Sequence, residues 1–363
     1  MAAPGSITVA CAPIATMSDT LEDYVHPDLH EPLGRCATIK RNASGAISVR
    51  LQFAAQRFSQ RLARALERRP QLSGTPLDIS WQVGTHSVKR GLKPIPGIAN
   101  VVAVASAKGG VGKSTTAVNL ALAWAAEGAR VGLLDADIYG PSLPLMMGLT
   151  DQRPVSEDGK HIQPLEAHGV ACMSVGFLVD QQQAMVWRGP MVTQALRQLL
   201  GDTIWGELDY LVIDLPPGTG DIQLTLSQQV PLTGAIVVTT PQDIALMDAR
   251  RGVKMFEKVD VPVLGVVENM STHVCSNCGH EEAIFGAGGG RDMAAQFGVP
   301  LLASLPLDRR IREQTDGGVP TVVQDVDGEL AARYFALACG AGARIAVQGK
   351  DYSRAFPRIV VEE

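Results

Sequence analysis

The chain has no apolar run approaching the roughly twenty residues a helix needs to cross a bilayer, so it reads as a protein with no membrane span. It also has no excess of positive charge. Lys and Arg number 32 against 37 Asp and Glu, a formal net charge of −5, which argues against a surface built to hold nucleic acid non-specifically. The first Lys or Arg is Arg35. The start therefore shows neither the charged opening of a secretory signal nor the Arg-rich face of a mitochondrial presequence, and the expected location is cytoplasmic. Cysteine is sparse, with six in 363 residues. Cys11, Cys36, Cys172 and Cys339 are scattered singly among apolar or small residues and are expected to be inert thiols, which is no secreted disulfide framework and suits a reducing compartment. With 46% hydrophobic and 19% charged residues, the chain has length for one large domain and a smaller one.

What is present is most specific at Val101-Val-Ala-Val-Ala-Ser-Ala-Lys-Gly-Gly-Val-Gly-Lys-Ser-Thr-Thr116, a buried strand followed by a glycine turn and a helix start. Gly109, Gly110 and Gly112 lack Cβ atoms, so the turn can curl its N–H groups around an anion at the positive end of the helix dipole. Lys113 adds a point charge between phosphates, and Ser114 places a hydroxyl where the Mg²⁺ of a nucleoside triphosphate sits. The pattern lacks its usual leading glycine: Ala107 stands there, followed by a second lysine, Lys108. Ala107, Lys108, Gly109, Gly110, Val111, Gly112, Lys113, Ser114 and Thr115 are the expected nucleotide-binding residues.

This double-lysine loop resembles that of the deviant P-loop ATPases, the class of MinD, ParA and the nitrogenase iron protein. The resemblance implies a homodimer in which Lys108 reaches across to the nucleotide of the other copy.

Residues 1–90 read as a small α+β domain behind a loose N-terminal tail, with a helix over Asp19–Tyr24, strands over Cys36–Lys40, Ile47–Phe53 and Leu77–Val83, and a helix over Gln56–Arg68. The stretch Val25–Gly34 resembles a weakened version of the entry to a small domain found beside iron–sulfur assembly proteins, and a plain folding or docking module with no chemistry is the alternative. His26, His30 and Asp28 there read as solvated loop residues rather than metal ligands, and Arg61, Arg64, Arg68 and Arg69 as one solvated helix face. Prolines and glycines mark 91–99 as a linker. From 100 to 350, strands at Val101–Ala105, Arg130–Leu134, Val170–Ser174, Tyr210–Ile213, Ala235–Thr239, Val261–Val267 and Leu301–Leu305 alternate with helices. That is an α/β P-loop NTPase fold with a mostly parallel sheet flanked by helices, its ligands bound at the carboxyl ends of the strands. Residues 351–363 form an acidic tail without a basic amphipathic anchor.

Two later strands end in acids: Leu133-Leu-Asp-Ala-Asp137 and Leu211-Val-Ile-Asp214. By the same resemblance Asp137 orients the attacking water and helps fix Mg²⁺, Asp214 holds Mg²⁺ mostly through water, Asp135 belongs to the signature, and Pro216–Gly220 senses the γ-phosphate. No Asn-Lys-x-Asp guanine-reading motif occurs, so ATP is expected. Asn269 matches the residue that reads adenine in relatives. Slow hydrolysis is the implied chemistry, with Lys108, Lys113 and the metal neutralising charge on the transferred phosphoryl group.

Cys275 and Cys278 have metal-ligand spacing, which serves zinc knuckles, redox pairs and clusters alike. His273 and His280 flank them, in a segment too short to wrap easily around one tetrahedral zinc. A [4Fe-4S] cluster commonly takes four thiolates, and a twofold dimer would bring two pairs together. The set of P-loop, Asp-Ala-Asp-Ile-Tyr-Gly-Pro-Ser, Asp-Leu-Pro-Pro-Gly-Thr-Gly-Asp and Glu-Asn-Met-Ser before Cys-x-x-Cys resembles the Mrp/ApbC group of iron–sulfur cluster carriers over residues 94–350. That resemblance implies ATP hydrolysis, a labile cluster bridging two chains, and partners among cluster-assembly scaffolds and apo-proteins, with no nucleic acid and no membrane. A positioning ATPase of the MinD/ParA kind with a structural zinc site is the alternative, and a scaffold whose nucleotide only closes the dimer is a third. The glycine-rich Phe285–Gly290 reads as a mobile loop able to reposition the cysteines.

Overall fold

The computed structural model describes residues 21–43, 45–88, 92–178 and 189–350. The expected N-terminal tail with Cys11, Asp19 and Thr20 of the expected Asp19–Tyr24 helix, Ser44 and the 351–363 segment lie outside these residues. A three-stranded sheet comes first, from β1 (Ala37–Arg41), β2 (Ile47–Leu51) and β3 (Leu77–Trp81). β1 runs antiparallel to β2, and β2 parallel to β3. Alternation in β2 sends Ile47, Val49 and Leu51 inward, where they meet Phe58, Leu62 and Leu66, spaced along one face of α1 (Gln56–Glu67).

The large sheet then begins with β4 (Val101–Ala105), buried at every residue. The chain continues through α2 (Lys113–Ala126), β5 (Val131–Asp135), β6 (Leu165–Ala167), β7 (Val170–Ser174), α3 (Gly189–Asp202), β8 (Tyr210–Asp214), α4 (Asp221–Gln229), β9 (Gly234–Thr239), α5 (Asp243–Lys258) and β10 (Val263–Glu268). After β10 come a hairpin of β11 (His273–Val274) and β12 (Glu281–Glu282), α6 (Gly289–Gln296), β13 (Leu301–Ser304), α7 (Arg309–Asp316) and α8 (Glu329–Ala346). The eight strands lie in the order β13-β10-β9-β4-β8-β5-β7-β6. Every pairing is parallel except that of β6 with β7. Continuous Val, Ile and Leu runs are what a sheet covered on both faces requires. The expected strands match to within a residue or two; β6, three residues long, and the hairpin carry too little pattern to be anticipated.

The small sheet shares its apolar cluster with α8, which contributes Cys339, Ala343 and Ala346. Close approach is possible because α8 carries glycine at the contact: a Cβ on Gly342 would sit 2.9 Å from the Phe53 Cβ, and one on Gly340 3.0 Å from the His30 ring. At the far end of α2, Glu127 is fully buried, and its Oε2 accepts the backbone N–H groups of Arg57 at 2.7 Å and Phe58 at 3.0 Å. A carboxylate from the large sheet's first helix thus caps α1. Burial pushes its pKa up, against the pull of those N–H donors. The Gly97–Ala99 stretch is fastened as well, by Leu208 N–H to Gly97 O (2.9 Å) and Ala99 N–H to Leu208 O (2.8 Å).

Three expectations need correction here. Arg61 is not merely solvated: it pairs with Asp28 at 3.0 Å and lies 3.9 Å from Glu127, while Arg69 covers the Tyr24 ring. His26 is largely buried, edge-on to Phe58, and its Nδ1 accepts the Asp28 N–H at 3.2 Å. The glycines of 285–290 serve packing as well as turning: a Cβ on Gly289 would strike Leu246, and one on Gly290 would lie 2.9 Å from Glu268, whose Oε1 accepts the Gly290 N–H at 2.7 Å.

Candidate functional site

The loop between β4 and α2 sits at the carboxyl edge of the central strand. Gly110 and Gly112 have φ of 79° and 83°, conformations that side chains resist and glycine accepts freely. Ala107 is absent from the positive-φ residues, so a methyl group is tolerated there. The loop is tied to its neighbours by the Ser106 hydroxyl, which donates to Lys108 O at 2.7 Å, and by Gly218 N–H, which donates to Ser106 O at 2.9 Å. The segment Pro216–Gly220 therefore touches the root of the cradle.

Lys113 is buried, and its Nζ lies 2.6 Å from Asp214 Oδ1, 3.3 Å from Ser114 Oγ and 3.8 Å from Asp137 Oδ2. One ammonium thus gathers three hard oxygen donors. Burial, with the Asp214 charge adding to it, raises the pKa of Asp137 while Lys113 opposes. Asp135, wholly buried beside them, is pushed up to about 7, by burial first and the Asp214 charge second. Lys108 points elsewhere. Its exposed Nζ lies 3.7 Å from Asp248 on α5, and Asp248 also binds Arg251 at 3.0 Å. Asn269 follows β10, and its amide donates to Val111 O at 2.9 Å. A Cβ on Gly112 would lie 2.0 Å from that amide nitrogen. Thr115 lies in the first turn of α2 and is half-buried.

Sequence reading brought Lys113, Ser114, Asp137 and Asp214 to one place, and they meet there. It missed Asp248, Ser106 and Ser174. A serine at the carboxyl end of β7, level with Asp135 across the sheet, was the available signal for the last; Ser106 bonds within the loop itself, two residues on, whereas Asp248 depends on a distant pairing that no local pattern carries.

Cys275 and Cys278 occupy the turn of the β11–β12 hairpin, the first partly exposed and the second exposed. Cys275 N–H donates to His280 O and Gly279 N–H to Cys275 O, both at 2.9 Å, with Gly279 at φ 72°. Backbone N–H groups of Cys278 and Asn277 and the Cys278 thiol point at the Cys275 sulfur and draw its pKa down. His273 Nδ1 donates to Leu307 O at 2.9 Å, leaving only Nε2 as a possible ligand atom. Among the described residues no group of three or more His, Cys, Asp or Glu converges as a metal site. By contrast burial pushes Cys36 and Cys172 up to about 12 and Cys339 well above the ordinary thiol value.

A central parallel strand that turns through a glycine cradle into a helix, beside strands ending in buried carboxylates, defines a P-loop NTPase. Residues 97–340 match the family model described as ParA, NUBPL iron-transfer P-loop NTPase, and the chain belongs to that family. It is 52% identical over 326 residues, 88% of each chain, to a Haemophilus influenzae protein named iron-sulfur cluster carrier protein. It is 49% identical over 299 residues, 81% of this chain and 93% of the other, to the Mus musculus iron-sulfur cluster transfer protein NUBPL. Among solved structures, a nucleotide-binding protein from Archaeoglobus fulgidus in complex with ADP aligns with a TM-score of 0.57 at 36% identity, covering 66% of this chain and 91% of that one. No helix among the described residues is long and apolar enough to cross a membrane.

Proposed function

We propose that the protein binds and hydrolyses ATP and carries a labile [4Fe-4S] cluster, held between two copies of the chain and handed to apo-proteins. One observation carries this reading: the exposed hairpin offers two thiols, and among the described residues no group of three ligand side chains converges on a metal site. A cluster commonly takes four thiolates, so a twofold pair of chains would complete the set at its axis. Exposed Val274 and Ile284 beside the cysteines, and Ile244 and Met247 on α5, support contact with a second copy. The names of the relatives, iron-sulfur cluster carrier and transfer proteins, support an iron–sulfur cargo passed to client proteins, and in this reading cluster-assembly scaffolds supply it.

ATP would lie along Ala107–Thr115, its phosphates against the loop N–H groups and Lys113, with Asn269 near the adenine. Mg²⁺ fits the donor set, since Ser114, Asp137 and Asp214 present the hard oxygens it takes, and bound there it neutralises phosphate charge. Lys113 must leave Asp214 for the phosphates to enter. Asp137 then orients water, and the partner's Lys108, once freed from its own Asp248, adds positive charge at the transferred group.

Anaerobic reconstitution with iron and sulfide tests the reading. The expected product is a dimer with about four irons per two chains, lost in Cys275→Ala or Cys278→Ala. Tightly held zinc that excludes iron would overturn it, in favour of a positioning ATPase with a structural metal.

A further inference from the structure

Asp135 ends β5 with its carboxylate fully buried, and all its hydrogen bonds are made to the loop that follows and to the next strand. Oδ1 accepts the Asp137 N–H at 3.0 Å; Oδ2 accepts the Leu143 N–H at 3.2 Å and the Ser174 hydroxyl at 3.1 Å. The two ends of the 137–143 loop are therefore pinned by one side chain. Ser174 is itself oriented, its Oγ accepting the Gly176 N–H at 3.0 Å. Gly176 is where the middle of the loop rests: a Cβ there would lie 3.0 Å from Pro141 and 3.1 Å from Pro144.

We propose that Asp135 and Ser174 are positioning residues for hydrolysis, holding the 137–143 loop so that the Asp137 carboxylate faces Lys113 and Asp214. The choice of aspartate follows from the donors. Both oxygens receive N–H or O–H groups, which asparagine could match on one side only. Burying a carboxylate near Asp214 is costly, and a loop that needed only anchoring could use an apolar plug. The inference rests on the reading that ATP is hydrolysed here.

Turnover and ADP affinity of the full-length protein separate the two roles. Ser174→Ala removes one hydrogen bond to a charged group, which should lower kcat about tenfold. The cradle stands on β4, so ADP affinity should stay within about twofold, as should KM for ATP. In an Asp137→Ala background the same substitution should change the residual rate less than about twofold, because the residue through which it acts is gone. Asp135→Asn, isosteric but able to accept on one side only, should show the same split. Unchanged kcat in Ser174→Ala, or a full tenfold loss persisting without Asp137, overturns the positioning role. A wild type with no ATP turnover would instead overturn the hydrolysis reading, and the positioning role with it.

Discussion

Replacing Lys113 by alanine tests how the cradle is held. Its ammonium is 2.6 Å from Asp214, with 7% and 4% of the two side chains exposed, and 3.8 Å from Asp137. Removing one partner of a buried pair costs about 3–5 kcal/mol, because the remaining charge stays desolvated. The loss should depend on pH. Asp135 and Asp137 have pKa values raised by burial and by Asp214, and Lys113 is the cation that pulls both down. A carboxyl group with a raised folded pKa binds protons more tightly in the native state, so its contribution falls as pH climbs from the ordinary carboxylate range to the folded value, about 7 for Asp135. Without Lys113 these values move higher still. Urea denaturation of nucleotide-free protein should then show the full deficit near about pH 8 and a smaller one near about pH 6, since protonation relieves like charge at about 1.4 kcal/mol per unit of pKa shift. A variant within about 1 kcal/mol of wild type at both values would refute the buried pair. The same variant should hydrolyse no ATP, and unchanged turnover would remove the enzyme claim.

Gly112→Ala should cost about 1–2 kcal/mol for a side chain at φ 83°, and more because its Cβ displaces the Asn269 amide. Thermal or urea unfolding of Gly112→Ala, Asn269→Ala and the double variant should reveal favourable coupling above about 0.5 kcal/mol, whereas strict additivity would mean that the two groups do not meet. Cys275, its sulfur facing N–H donors, should be alkylated by iodoacetamide with a pH midpoint below the ordinary thiol value of about 8.5. Peptide mass spectrometry reads the site, and a midpoint at or above that value contradicts the turn geometry.

The nucleotide cradle was legible because its demands are local: the positions needing positive φ, Gly110 and Gly112, are glycines. The large sheet was legible for a related reason, its strands being apolar at nearly every residue and bounded by helical runs. Long-range pairing was not. Nothing near Lys108 in sequence names Asp248, and Glu127 looks like a helix-ending surface acid until α1 is seen resting on it. Glycine in 285–290 suggests freedom when read alone, but in the fold Gly289 and Gly290 mark where a helix must approach Leu246 and Glu268. The cysteine spacing marked the pair as candidate ligands, while its exposure depended on a hairpin of two-residue strands that no periodicity could announce.

The Pro- and Gly-containing stretch before β4 has the composition of a swivel, yet what it joins is already gripped by Glu127 on one side and by the glycine notch of α8 on the other. Turning the small sheet about that stretch would first have to pull two N–H groups off a buried carboxylate and lift Phe53 from the surface of α8.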